Sequence, residues 1–157
     1  MTEWEGLIRL AVAAAIGGAI GFERETLDKA AGLRTHMLVC AGAALFMVCS
    51  LLLVEDFADS DMVSKVDPTR IASTIVTGVG FLGGGIIFKN EERVRGLTTA
   101  AGLWVVAAIG MAAGSGYYVT AVGGGILTLI ILVVVRRFEQ QFDFKPEEGE
   151  DSSGQRP

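Results

Sequence analysis

Residues 96–135 form a run of 40 residues without one Asp, Glu, Lys or Arg, and residues 71–88 form another of 18. Hydrocarbon offers no water to unpaired backbone groups, so a chain with such runs in a bilayer satisfies them internally, as helices do. At 1.5 Å per residue the shorter run covers about 27 Å, close to the roughly 30 Å apolar core of a bilayer. The longer run exceeds one crossing. Gly114-Ser115-Gly116-Tyr117-Tyr118 is its natural break, with two tyrosines suited to interface depth.

The pattern predicts an all-α membrane protein: five transmembrane helices in a glycine-rich bundle, at about 7–22, 37–54, 71–88, 99–113 and 119–135. They form one domain over 1–138. The first is the weakest, with Trp4 as an interfacial anchor and Arg9 expected to snorkel. Asp67-Pro68 opens the third as a helix-start signature. Five glycines (Gly78, Gly80, Gly83, Gly84 and Gly85) crowd its second half. Small residues let membrane helices approach closely, so this helix is expected at the centre of the bundle. Residues 139–157, rich in Glu, Ser, Gly and Pro, read as an acidic, disordered cytoplasmic tail.

The apolar share of 51% and mean hydropathy of +0.50 come mostly from these uncharged blocks. The net charge of −5 leaves no basic field beyond short loops, which excludes nucleic acid as a partner. Lys and Arg gather in the first loop (Arg24, Lys29, Arg34), the third (Lys89, Arg93, Arg95) and the start of the tail (Arg136, Arg137). By the positive-inside rule these face the cytoplasm, with the N-terminus outside and the C-terminus inside. Glu3 and Glu5 stand where a signal peptide would be basic, so the first helix is expected to be retained. Cys40 and Cys49, nine residues apart, fall on opposite helix faces and read as free, buried thiols.

An internal echo accompanies the spans. The nine residues from Gly17 to Glu25 match those from Gly83 to Glu91 at five positions, and Gly32-Leu33-Arg34-Thr35 echoes Gly96-Leu97-Thr98-Thr99. Both copies run outside to inside and return, which describes a parallel repeat of a helical hairpin.

Glu25 lies four residues past Gly21, and Glu91 seven past Gly84, so each carboxylate shares a helix face with a glycine seam. With Asp28 and His36 they form a candidate cation or proton site at the cytoplasmic mouth, where Mg²⁺ is the hard cation that carboxylates suit. The competing reading is solvated ion pairing, Arg24 with Asp28 and Glu25 with Lys29 at i,i+4. Asp67 and Arg70 form an outer rim, read as a helix cap and a snorkelling base or else as a gate. His36, the single histidine, reads as a polar end group at the interface, with Thr35 capping the second helix. No zinc-type ligand set and no histidine-based nucleophile can be assembled, so no enzyme and no cofactor are expected. Gly78-Val79-Gly80-Phe81-Leu82-Gly83 satisfies a dinucleotide fingerprint in form only, since no acid follows at the required distance.

Taken in order, several motifs resemble the MgtC/SapB family of inner-membrane proteins. They are Gly21-Phe22-Glu23-Arg24-Glu25, Ala31-Gly32-Leu33-Arg34-Thr35-His36, Asp67-Pro68-Thr69-Arg70, Gly80-Phe81-Leu82-Gly83, and Val94-Arg95-Gly96-Leu97-Thr98-Thr99 followed by Leu103-Trp104. The resemblance implies five membrane helices, a multi-pass place in the inner (plasma) membrane and a link to growth under magnesium limitation. In pathogen members it also implies inhibition of the proton-translocating ATP synthase. Those members carry a soluble C-terminal domain, and have Asn where this chain has Thr98 and Cys where it has Val105. The membrane module therefore carries over and the virulence role does not.

Two functions compete. In the first, a non-enzymatic regulator in the lipid bilayer binds copies of itself or other membrane proteins (ATP synthase among them) through small-xxx-small pairs. These are Gly17/Gly21, Gly80/Gly84 and Gly110/Gly114. In the second, a Mg²⁺ or proton transporter or channel uses the carboxylates. No acid lies mid-span, where transport sites usually sit, and this favours the regulator.

Overall fold

The computed structural model describes residues 1–56, 68–89 and 94–142. Its long elements are helices: α1 (Glu3–Thr26), α2 (Leu33–Asp56), α3 (Pro68–Ile86), α4 (Leu97–Gly114) and α5 (Tyr118–Ile130). From α5 the chain continues through a π-helical turn (Ile131–Val135) into α6 (Arg136–Gln141). An antiparallel hairpin, β1 (Phe88–Lys89) with β2 (Val94–Arg95), joins α3 to α4 and pairs Phe88 with Arg95.

Among the described residues, four helices are long and apolar enough to cross a membrane: Glu3–Thr26, Leu33–Asp56, Leu97–Gly114 and Tyr118–Phe138. α3 has 19 residues, about 28 Å of helix, but its glycines and hydroxyls lower its apolar content. The all-α membrane class stands. α1 and α2 run to 24 residues each because their charged ends continue the helices past the apolar stretch. α3 stops at Ile86, short of the expected 88, because Phe88 enters the hairpin. The proposed tail falls almost wholly outside the described residues.

The central helix is α4, not α3 as expected. α4 packs on α1, α2, α3 and α5, whereas α3 packs on α4 and α2 at the edge. Contact here is backbone to backbone. A Cβ on Gly110 would lie 2.2 Å from the Cys40 carbonyl oxygen, and one on Gly114 2.5 Å from that of Ala44. On α1, a Cβ on Gly17 would meet the His36 carbonyl oxygen at 2.7 Å, and one on Gly21 the Leu33 Cα at 2.8 Å. By contrast, Gly78, Gly80, Gly84 and Gly85 of α3 have nothing within 4 Å at that point among the described residues. Glycine permits close approach without choosing the neighbour. An all-round apolar surface is what marks a buried helix, and α4 has it.

The internal echo has a structural counterpart. Gly17 faces His36 across α1 and α2, and Gly83 faces Ala100 across α3 and α4 at 3.5 Å. These are equivalent positions in the two copies, although a Cβ on Gly84, unlike one on its counterpart Gly18, would meet nothing within 4 Å among the described residues.

At the other end of the bundle Arg9 reaches the turn after α4. Its Nη1 donates to the Gly114 carbonyl at 2.9 Å, placing a cation on the free carbonyls that end α4. Gly116, with φ of 85°, closes that helix in the left-handed conformation glycine favours. Both cysteines are free, Cys40 buried as expected but Cys49 exposed on the outer face of α2.

Candidate functional site at the basic end of the bundle

The last turn of α1 sets this site. Arg24 is 3% exposed and is held by Glu23, whose carboxylate accepts from both Nε and Nη2, the latter at 2.7 Å. A buried guanidinium needs such a partner. Glu25 is exposed on the helix surface, and its Oε2 accepts the backbone N–H of Leu33 at 2.6 Å. It thus serves one of the orphan donors at the start of α2. The cap expected from Thr35 is supplied instead from the neighbouring helix, and α2 begins two residues before Thr35. A Cβ on Gly32 would lie 2.5 Å from that oxygen, so the glycine makes room for the carboxylate.

Beyond Thr26 the chain leaves the helix. Asp28 takes φ of 53°, the Lys29 N–H bonds the Arg24 carbonyl and the Asp28 N–H that of Glu25, each at 3.1 Å. This double bond pattern is a Schellman stop. It rotates Asp28 and Lys29 off the helix, and neither Arg24–Asp28 nor Glu25–Lys29 forms the expected ion pair.

His36 is fully buried rather than interfacial. Its Nδ1 stands 2.9 Å from the Gly32 carbonyl oxygen, and its Nε2 has no partner. That edge faces Gly102 of α4, whose Cβ position lies 3.8 Å from Nε2. The absence of a side chain at Gly21 lets α1 close over the ring.

A cavity of about 890 Å³ opens at this end. Arg24, Lys29, Arg95 and Arg136 line it, with Asp28 as the single acid on its wall among the described residues. Gly96, Thr98 and Thr99 bring the first turn of α4, which has no side-chain cap, to the same space. Of the family-motif residues at this end, Arg24, Arg95 and Thr98 therefore meet in one place. Arg34 and Thr35 are exposed on the first turn of α2, and Thr35 borders a separate recess with Gly84 and Leu103. Sequence reasoning left Lys29 and Arg136 out of the site, although their grouping in the basic loops was the available signal.

Among the described residues no group of three or more His, Cys, Asp and Glu could hold a metal. Glu25, Asp28 and His36 do not come together as one ligand set. Glu91 and Asp67 lie outside the described residues. Arg70 is exposed at the start of α3, and its carbonyl accepts from Ser73 and Thr74.

A second surface lies on α3. Gly80 and Gly84 face open space beside Phe81, which is 83% exposed. On its flank an apolar groove of about 690 Å³ runs between α2 and α3 with Gly42 and Gly78 in its wall.

A sequence model of the MgtC family matches residues 10–141. The chain is 50% identical over 130 residues to an Escherichia coli (strain K12) protein named "Putative magnesium transporter YhiD", covering 83% of this chain and 60% of that one. It is 43% identical over 136 residues to "Protein MgtC" of Brucella abortus (strain 2308), covering 87% and 53%. To "Protein MgtC" of Salmonella choleraesuis it is 38% identical over 144 residues, covering 92% and 58%. The chain thus spans 53 to 60% of the length of these relatives. No solved structure matches it. With the family's pattern running through nearly all of the helical bundle, the chain belongs to the MgtC family.

Proposed function

We propose that this chain is a non-enzymatic membrane protein of the adaptation to magnesium limitation, acting by lateral association with a second copy or with another membrane protein. The observation that carries this reading is the outward face of α3. A Cβ on Gly80 or Gly84 would meet nothing within 4 Å among the described residues, with Phe81 exposed beside them. Glycine costs a helix about 1 kcal/mol relative to alanine, and in lipid the return for that cost is close contact with another helix. The basic loops favour an inner-membrane orientation with the N-terminus outside.

Site-specific crosslinking from α3 in native membranes tests the proposal. The wild-type chain should yield a defined partner or a dimer, and Gly84→Leu should lose it while still inserting. Unchanged capture in that variant would remove the basis of the reading. The alternative, movement of Mg²⁺ or protons, has in its favour the name of the Escherichia coli relative. Flux from liposomes containing the pure protein above that of empty vesicles would select it.

A further inference from the structure

The cavity at the basic end has a charge balance that a cation site would not have. Among the described residues, four cationic side chains line it (Arg24, Lys29, Arg95 and Arg136) against Asp28 alone. Among the described residues Lys29, Arg95 and Arg136 enter no ion pair, and Arg24 is neutralised by Glu23 outside the cavity wall. Unpaired cations held around one space favour an anion there. Thr98 and Thr99, in the opening turn of α4 that has no side-chain cap, also line the cavity, and backbone N–H and hydroxyl groups are the donors that phosphate oxygens accept.

Part of the lining is apolar. Ile131, Leu132 and Val135 supply it, three residues of the single π-helical turn found among the described residues. Such turns are uncommon and gather at functional sites. A free inorganic anion has no use for this apolar part, whereas a molecule with a charged phosphate and a hydrocarbon chain uses the whole lining.

We propose that this cavity binds the phosphate of an anionic phospholipid, with the headgroup among Lys29, Arg95 and Arg136 and an acyl chain along the π-helical turn. Basic pockets between helices at the cytoplasmic side of membrane proteins hold lipid headgroups by the same physics. The site is independent of the α3 face, so its failure leaves the association proposal standing.

The test uses the whole 157-residue chain in a neutral detergent. Thermal stability and native mass spectrometry are measured with phosphatidylglycerol, phosphatidylcholine and inorganic phosphate at matched concentrations. Phosphatidylglycerol should raise the unfolding midpoint and remain bound, and the other two should not. Lys29→Gln and Arg136→Gln, at exposed and half-buried positions where folding is tolerant, should each weaken phosphatidylglycerol binding about fivefold. Arg70→Gln, at the other end of the bundle, should leave it unchanged. Equal binding of phosphatidylcholine, or equal loss in Arg70→Gln, would overturn the site. Stabilisation by inorganic phosphate as large as that by the lipid would overturn the lipid assignment.

Discussion

The carboxylate of Glu25, in the last turn of α1, accepts the backbone N–H of Leu33, the first residue of α2, at 2.6 Å. One helix end thereby caps the next. A residue that reads from the sequence as a cation ligand has a structural task at the same position. Glu25→Ala should cost about 0.5–2 kcal/mol, the range for a lost cap, measured as a lower unfolding midpoint in detergent. Gly32→Ala should do the same, because its methyl would stand 2.5 Å from the Glu25 carboxylate oxygen and push it off the Leu33 N–H.

Glycines in contact with backbone and glycines in the open should respond in opposite ways. Gly110→Ala places a methyl 2.2 Å from a carbonyl oxygen and should cost about 1–3 kcal/mol or more through overpacking. Gly84→Ala meets nothing within 4 Å among the described residues and should hold or gain stability, by up to about 1 kcal/mol from helix propensity. Folding yield and unfolding midpoints of the two purified variants decide the matter. Equal losses would show that α3 packs more tightly than described.

Arg9 ties the start of α1 to the end of α4. Arg9→Leu removes a charge-assisted hydrogen bond to the Gly114 carbonyl and should cost about 1.5–3 kcal/mol. Arg9→Lys, with a shorter reach and no planar fork, should recover only part of that. Full recovery would mean that charge near the helix end matters and the specific bond does not.

Asp28 holds a left-handed conformation at φ of 53°. Asp28→Gly should fold at least as well as the parent chain, and Asp28→Val should lose about 1–2 kcal/mol, the cost of that conformation for an L-residue. Comparing the two unfolding midpoints isolates the backbone effect from loss of the charge.

The membrane orientation has its own test. Arg70→Cys in a background without Cys40 and Cys49 should react with an impermeant maleimide from outside the cell, and Lys29→Cys should react only after the membrane is opened. The reverse pattern would invert the bundle and place the basic cavity on the outer side.

By itself the sequence determined that this chain is a set of apolar helices, where they break, and that basic residues gather at one end. Each follows from local chemistry. Long uncharged runs suit hydrocarbon, Gly116 and its neighbours stop a helix, and Arg24, Lys29, Arg95 and Arg136 lie outside the apolar runs. The family motifs were legible for the same reason, since they are local strings. Only the tertiary structure decided that α4 and not α3 is central, that Glu25 serves Leu33, that His36 is buried against Gly102, and that four cations surround one cavity. Those outcomes depend on how each helix is rotated about its axis and how it crosses its neighbours. A helix that is apolar on every face, as α4 is, carries no periodic signal of its rotation, and a bare glycine face such as that of α3 is compatible with burial and exposure alike.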